Sequence, residues 1–523
     1  MWRFSEIRVL PDIVRYWSKI TPDKIALKDG SLNLTYRELD ESSNRIANRI
    51  IATGVSPGAH IGYVGRNSVE FFEVWFGACK AGCAIAPFNW RSAPLELAVL
   101  AGDAETPLIF AESDLCSPKV LEARSLGSLS YEVVNFSLEG NRQQRFEGWA
   151  EQSSNQDPHI AVYGDDVALL VYTSGTTGRP KGVQYSHEAF DRSFLCMSLE
   201  PEMAWAPEDV GLMVVPNFHL GGNWVLLPAL YHGATIRTIP AFDSGLILEA
   251  IEADRCTIMP LVPTALQMLL EHPGIENTDL SSLHKIIYFG SPISAETMTG
   301  AVTTLGCKLN QLYGTTETWF ATLLGHEEHI AEPPLRLSSC GKPLPLIMMK
   351  VCNGEGEELP HRQVGEIYIR TPTINKGYWK QPEATVAAIS DGWYRTGDLA
   401  WSDEQGFFYL VDRAKDMIVS GGENIYSVEV ERVLNLHKAI SMAAVIGTPD
   451  KKWGEKVTAF VVLEREQSAS EDELKQHCRE YLAGYKVPKE ILIKESLPMN
   501  LTGKIQKNIL REPYWSGKNR RIC

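Results

Sequence analysis

Apolar residues recur at helical spacing from Leu10 to Trp17, and the run Ile25-Ala26-Leu27 follows them. This pattern predicts an amphipathic helix and then a strand. Thr35 and Glu38 form a capping box ahead of Leu39, Ser43, Ile46, Ala47 and Ile50, which share one helix face. His60 to Val64 reads as a strand, and Val69 to Lys80 as a helix stopped at Gly82. Ile85 to Pro87, Leu108 to Ala111 and Val167 to Val171 are further apolar runs. Ser186 suits the N-cap of a helix through Leu199. Strands are expected at Val210 to Val215, Ala234 to Ile239, Thr257 to Leu261, Ile286 to Phe289 and Leu309 to Leu312, with a helix starting at Pro263. Strands interleaved with helices predict parallel sheets covered on both faces.

The pattern changes between Leu346 and Leu410. Tight turns at Asn353-Gly354, Gly365-Glu366, Asp391-Gly392 and Gln405-Gly406 separate short strands, which suggests a β-rich subdomain. After it come a helix (Val428 to Leu436), two strands (Ile440 to Val445, Val457 to Leu463) and a helix opened by the Ser470–Glu473 capping box. These make a compact α+β unit. A chain of 523 residues is long enough for more than one core.

Composition narrows the class. With 44% hydrophobic and 22% charged residues the chain is ordinary for a globular protein. Its formal charge of −15 argues against a general nucleic-acid binder, which needs basic surface to displace counterions. The ten cysteines include no C-x-x-C pair; Cys79 and Cys83 share a helical spacing in an apolar context, and buried reduced thiols are expected. Arg3, Glu6, Arg8, Asp12 and Arg15 interrupt any signal-peptide core, and Cys523 at the end leaves no prenylation box. The apolar window Gly211 to Leu230 contains Pro216, His219, Gly221, Gly222 and Pro228 and makes a poor membrane span. A soluble cytoplasmic protein is the expectation.

Candidate chemistry concentrates in Tyr172-Thr173-Ser174-Gly175-Thr176-Thr177-Gly178-Arg179-Pro180-Lys181-Gly182. Three glycines, four aliphatic hydroxyls and two cations follow directly on an apolar strand. Glycines let a backbone turn its N–H groups inward to bind anions, so a polyphosphate is the natural guest; a polar surface loop is the alternative. It is not a Walker loop, because Gly175 and Gly178 are too close together and Lys181 precedes Gly182. Other strands lead into Asn217-Phe218-His219-Leu220-Gly221-Gly222, Gly290-Ser291-Pro292 and Tyr313-Gly314-Thr315-Thr316-Glu317. In open α/β sheets ligands sit beyond the carboxyl ends of strands, so these segments converge on one crevice. Taken alone, His219 is a structural histidine or a pocket residue, and Trp224 is core or a pocket wall.

The Tyr172–Gly182 segment resembles the signature loop of the adenylate-forming superfamily: acyl- and aryl-CoA synthetases, luciferases and peptide-synthetase adenylation domains. The strings Tyr313–Glu317, Trp393-Tyr394-Arg395-Thr396-Gly397-Asp398, Asp412-Arg413-Ala414-Lys415-Asp416, Gly421-Gly422-Glu423 and Thr502-Gly503-Lys504 extend the resemblance over nearly the whole chain. It implies an α/β fold with a large N-terminal domain over 1–412, made of two doubly covered α/β sheets plus a β-rich subdomain at 345–412. A hinge at 413–417 and a small mobile α+β C-terminal domain at 418–523 complete it. It also implies ATP, Mg²⁺ and coenzyme A as ligands.

The residue roles implied are as follows. Thr173, Ser174, Gly175, Thr176, Thr177, Gly178 and Lys181 hold the ATP phosphates, and Thr176 and Glu317 hold Mg²⁺. Gly290, Ser291 and Pro292 back the adenine, Tyr313 stacks on it, and Gly314 and Thr315 lie beside it. Asp398 accepts the ribose hydroxyls, Arg413 contacts ribose or phosphate, and Lys504 is the catalytic lysine. Phe218, His219, Gly221, Gly222, Trp224 and Gly314 line the acid pocket. Gly421, Gly422 and Glu423 meet CoA, and Lys415 is the pivot. Ser427 stands where the family commonly has proline. In amino-acid-activating relatives an Asp follows the aromatic-His pair; none occurs from Asn217 to Trp224, which favours an uncharged acid.

The resemblance implies two half-reactions: acyl-AMP formation with loss of pyrophosphate, then thiol attack after the C-terminal domain turns. The expected function is ligation of a hydrophobic carboxylic acid (fatty or bulky alicyclic) to CoA. The alternatives are loading of a carrier-protein phosphopantetheine and a non-catalytic ligand-binding homologue. No base for the thiol stands out, no nucleic-acid partner is expected, and a homodimer is left open.

Overall fold

The computed structural model describes residues 4–516, apart from residues 31, 139–145, 147, 174–179, 292, 294, 331–335, 414–415, 421–422, 451 and 500–503 and the side chains at 223, 295 and 296. The chain folds into two units, one comprising Met1–Met348 with Ile369–Tyr394 and the other Met349–Tyr368 with Arg395–Cys523. The fold is the expected mixed α/β architecture.

The first unit holds two large sheets. One has six strands in the order Glu132–Phe136, Leu108–Glu112, His60–Val64, Ala84–Phe88, Val167–Thr173 and Lys181–Ser186. Its neighbours are parallel except for the last pair, which is antiparallel. The other has nine strands, and at its centre Thr235–Thr238, Val210–Met213, Ile258–Leu261, Lys285–Phe289 and Lys308–Thr315 run parallel. The strands at His60, Ala84, Leu108 and Lys285 are buried over their full length, as expected of parallel strands covered on both faces. Every residue of the helix Val69–Lys80 is buried too, so it has no solvent face. Lys80 is tolerated there because its ammonium donates to the Asp40 carboxylate (2.6 Å), Ser43 Oγ and Asn44 Oδ1.

Local signals place the helices well. Thr35 and Glu38 close their capping box on Tyr36–Ala52, Ser186 caps His187–Ser198, and Asp243 caps Ser244–Asp254. Three expectations shift. The strand from Lys308 runs on to Thr315, because it pairs antiparallel with Trp319–Leu324. Gly314 is required in that ladder: a Cβ would lie 2.0 Å from the Trp319 carbonyl oxygen. The strand from Val210 ends at Met213, and residues 220–224 form the short helix Leu220–Trp224 despite two glycines. Cys83 lies beyond the helix that carries Cys79. All nine cysteines among the described residues are buried and free.

In the second unit, Gly454–Leu463 pairs with Ile440–Asp450, with Ile418–Ser420 and, in parallel, with Glu490–Ile493. The helices Ser427–Asn435 and Glu471–Tyr481 contribute Val430, Val433, Leu434, Leu474 and Cys478 to the apolar core with this sheet. The Ser470–Glu473 capping box is present. Among the described residues no helix is long and apolar enough to cross a membrane.

Candidate active site

In the nine-stranded sheet the parallel strands ending at Met213, Leu261, Phe289 and Thr315 direct their carboxyl ends to one edge. His219, Gly290, Ser291 and Tyr313 therefore gather along that edge, as the spacing of the motifs predicts. The approach to His219 is fixed by amide pairs. Asn217 donates through Nδ2 to the carbonyls of Gly65 (3.1 Å) and Arg66 (3.0 Å), its N–H reaches Asn67 Oδ1 at 2.8 Å, and Asn67 Nδ2 donates to the Val215 carbonyl. Those partners belong to the loop after His60–Val64, so Asn217 ties the two sheets together. Sequence reasoning passed over it; a polar residue directly after an apolar strand was the available signal.

The surroundings of His219 are apolar. Phe218 is buried with its ring 4.5 Å from that of His219, and Phe289 and Phe320, both buried, lie 5.1 Å apart. Gly221 abuts the Phe289 ring so closely that a Cβ would come within 2.2 Å of it, and one at Gly222 would meet the Pro216 carbonyl at 2.4 Å. Trp224 is fully buried, stacked on Phe190 at 4.1 Å, with its indole N–H donating to Ser193 Oγ at 2.6 Å. That indole is thus satisfied within the core.

Thr173 and Lys181, at the ends of the glycine-rich loop, are paired residues of an antiparallel ladder. Ser174, Gly175, Thr176, Thr177, Gly178 and Arg179, between them, lie outside the described residues, as does Pro292. Lys181 places its ammonium 4.6 Å from the ring centroid of Tyr378, and the Tyr378 hydroxyl donates to Glu317 Oε1 at 2.8 Å. The Glu317 charge also acts on the phenol of Tyr394. Burial first, and then the Glu317 charge, push both phenols well above their ordinary pKa. Both are therefore neutral at any physiological pH. Neither tyrosine was singled out from sequence.

Within the second unit, Asp398 and Arg413 are directly paired across adjacent strands, with Arg413 Nε 3.3 Å from Asp398 Oδ1. Asp398 is buried, whereas the Arg413 side chain is 55% exposed. The loop before Lys504 is closed by the pairing of Met499 with Ile505 and by the Gln506 N–H on the Pro498 carbonyl at 2.8 Å. Desolvation lowers the Lys504 pKa, the Arg413 charge lowers it further, and Asp398 opposes both. Its surface nonetheless remains accessible. Glu423 is exposed and pairs with Ser420; Gly421 and Gly422 between them, and Lys415, lie outside the described residues.

Tyr313, Asp398 and Arg413 thus lie on paired strands, and Gly290 and Ser291 just beyond the end of one. The model of the AMP-binding enzyme family matches residues 14–379, and that of the AMP-binding enzyme C-terminal domain matches 429–504. The chain belongs to the AMP-binding enzyme family. This AMP-binding enzyme is 34% identical over 522 residues to "Fatty acid--[acyl-carrier-protein] ligase ScoC" of Streptomyces coeruleorubidus, covering 99% of this chain and 98% of that protein. It is 35% identical over 498 residues to feruloyl-CoA synthase of an Amycolatopsis species, covering 95% and 97%. Among solved structures, ATP-bound MatB from Rhodopseudomonas palustris superimposes with a TM-score of 0.86 at 28% identity, covering 97% of this chain and 100% of that one. The o-succinylbenzoate CoA synthetase MenE of Bacillus subtilis, in complex with its acyl-adenylate, gives a TM-score of 0.84 at 28% identity, covering 95% and 97%. The chain is an AMP-forming acid–thiol ligase of the adenylate-forming superfamily.

Proposed function

We propose that this enzyme joins a hydrophobic carboxylic acid to coenzyme A through an acyl-adenylate. The observation that carries the substrate reading is the surroundings of His219: Phe218, Phe289 and Phe320 are buried aromatics, and Gly221 leaves no Cβ against Phe289. A pocket of this kind favours apolar area over a second charge on the acid. His219 donates to or gates the acyl carboxylate.

In the first half-reaction the acid attacks the α-phosphorus of ATP and pyrophosphate leaves. Both oxygens involved are anionic, so positioning and cationic charge decide the barrier. Lys181 and the Ser174–Gly178 backbone bind the β- and γ-phosphates. Asp398 accepts the ribose hydroxyls, Arg413 adds charge beside it, and Tyr313 stacks on the adenine held by Gly290, Ser291 and Pro292. Lys504 supplies positive charge to the acyl carboxylate and α-phosphate; at ~4 Å and an effective dielectric near 20, one such cation contributes on the order of 4 kcal/mol.

Among the described residues no cluster of three or more His, Cys, Asp or Glu could cage a metal ion. A lone carboxylate at Glu317 with a threonine hydroxyl at Thr176 instead suits Mg²⁺, which keeps most of its positions for water and phosphate oxygens. When bound there, Mg²⁺ neutralises charge on the leaving pyrophosphate. For the second half-reaction Lys415 serves as pivot, and Gly421, Gly422 and Glu423 face the pantetheine arm.

The test is pyrophosphate release over a panel of straight-chain, aryl and dicarboxylic acids, with CoA, with a phosphopantetheinylated carrier protein, or with neither. Release with apolar acids, and thioester formed with CoA, is expected. Activity confined to dicarboxylates, or no acyl-AMP with any acid, would overturn the reading. The 34% identity to ScoC over 99% of the chain favours one second reading, with the carrier-protein thiol as acceptor, which the same panel separates.

A further inference from the structure

The segment 373–379 touches both ligand-bearing loops of the first unit. On one side Asn375 donates to the Glu317 carbonyl through its N–H (3.1 Å) and its Nδ2 (2.6 Å), and Thr373 Oγ1 donates to the Thr318 carbonyl at 2.9 Å. On the other side the segment runs along the strand that begins at Lys181. Trp379 N–H donates to the Gly182 carbonyl at 2.7 Å, Lys376 N–H to the Gln184 carbonyl at 2.8 Å, and Gln184 N–H to the Gly377 carbonyl at 3.2 Å. Lys181 begins the last strand of the six-stranded sheet, and Glu317 follows a strand of the nine-stranded one. The segment is therefore a strap between the two sheets, and the Tyr378 side chain meets a residue of each loop. Gly377 at φ +107° turns the chain there, and a Cβ would sit 2.6 Å from Thr385, whose hydroxyl accepts the Tyr378 N–H at 2.9 Å.

We propose that Tyr378 is a positioning residue that sets Glu317 and Lys181 for the metal–triphosphate by holding the carboxylate with its hydroxyl and the ammonium with its ring face. A carboxylate and an ammonium that paired directly would each lose charge needed for ligand. The interposed phenol donates one hydrogen bond to the carboxylate and offers the ammonium a quadrupole, so both are oriented and neither is neutralised.

This inference rests on the proposed metal role of Glu317, and the experiment separates the two. Binding of Mn²⁺ with a non-hydrolysable ATP analogue is measured by electron paramagnetic resonance, and metal-free binding of the analogue by calorimetry, on the full chain. Tyr378→Phe keeps the ring and loses the hydroxyl; it should weaken Mn²⁺ binding roughly tenfold, the scale of one charge-assisted hydrogen bond, and leave metal-free binding unchanged. Tyr378→Leu should weaken both. In a Glu317→Gln background Tyr378→Phe should add nothing, because the two act through one carboxylate. Native Mn²⁺ binding by Tyr378→Phe alongside a defective Glu317→Gln, or additive effects of the pair, overturns the proposal alone. Native Mn²⁺ binding by Glu317→Gln overturns the metal role and the proposal with it. Should Tyr378→Phe fail to fold, Tyr378→Leu carries the test, and native Mn²⁺ binding by it overturns the proposal.

Discussion

Glu317 receives the hydrogen bond of a neutral phenol, whereas Asp398 faces the guanidinium of Arg413. A neutral donor fixes a carboxylate without cancelling its charge, and so leaves it fit for a cation. An ion pair cancels part of the charge and leaves an acceptor better matched to neutral hydroxyls. With Arg413 more than half exposed, its pair with Asp398 stabilises the fold by no more than about 1 kcal/mol. Its value is electrostatic: Arg413 and Asp398 pull the Lys504 pKa in opposite directions. The second unit carries a further carboxylate cluster. Buried Asp412 accepts from the Ser427 hydroxyl at 2.8 Å, and Lys507 donates to that hydroxyl at 2.7 Å while pairing with Glu431 at 2.7 Å. Burial is the largest cause raising both acids above their ordinary pKa.

The contrast breaks most visibly at Lys504. Lys504→Ala should slow acyl-adenylate formation by roughly 10²–10³, the scale of losing one positioned charge-stabilising group. Thiol attack on a preformed adenylate should continue at its normal rate, and equal losses in both half-reactions would deny the lysine its role. Lys507→Met should cost the second unit about 3 kcal/mol, because it strands two buried acids. Accelerated hydrogen exchange at the Ser427 and Val445 amides would report it, since Val445 N–H donates to Glu431. Asp398→Asn should weaken ATP binding roughly tenfold, as expected for losing a charge-assisted hydrogen bond. It also has a pH signature. In its proposed role Lys504 acts while protonated, so adenylation should fall as pH rises through its lowered pKa. Removing Asp398 removes the group that raises that pKa, so the alkaline limb moves to lower pH, while Glu317→Gln leaves it in place. The smallest effect belongs to Ser427→Ala, about 1 kcal/mol of local stability, read by the same exchange measurement.

The parts of this molecule legible in sequence are those dictated by neighbours along the chain. Thr35–Glu38, Ser470–Glu473 and Ser186 cap helices where their spacing says they should. Uninterrupted apolar runs became parallel strands. The strand was expected to end at Leu312, yet the ladder with Trp319–Leu324 extends it through Tyr313 and Gly314. Leu220–Trp224 is helical against the propensity of two glycines, because close packing against Phe289 and Pro216 outweighs it. Tyr378 was invisible for another reason: it lies 61 residues from Glu317, and only the folded strap brings the phenol to the carboxylate. Asn217 likewise gains its meaning from Gly65, Arg66 and Asn67, about 150 positions away.

Ser427 donates to Asp412 through its backbone N–H as well as its hydroxyl. A proline, the residue that the family resemblance leads one to expect at this position, has no N–H to give. The two bonds close the ends of the 412–427 segment into a ring, and that ring contains the proposed pivot. Any net turning of one end against the other must first open it, at about 1.5–3 kcal/mol for each bond to the charged acid. If Lys415 is the pivot, a brake of that size would limit how often it turns, and a single serine would time the interval between the two half-reactions.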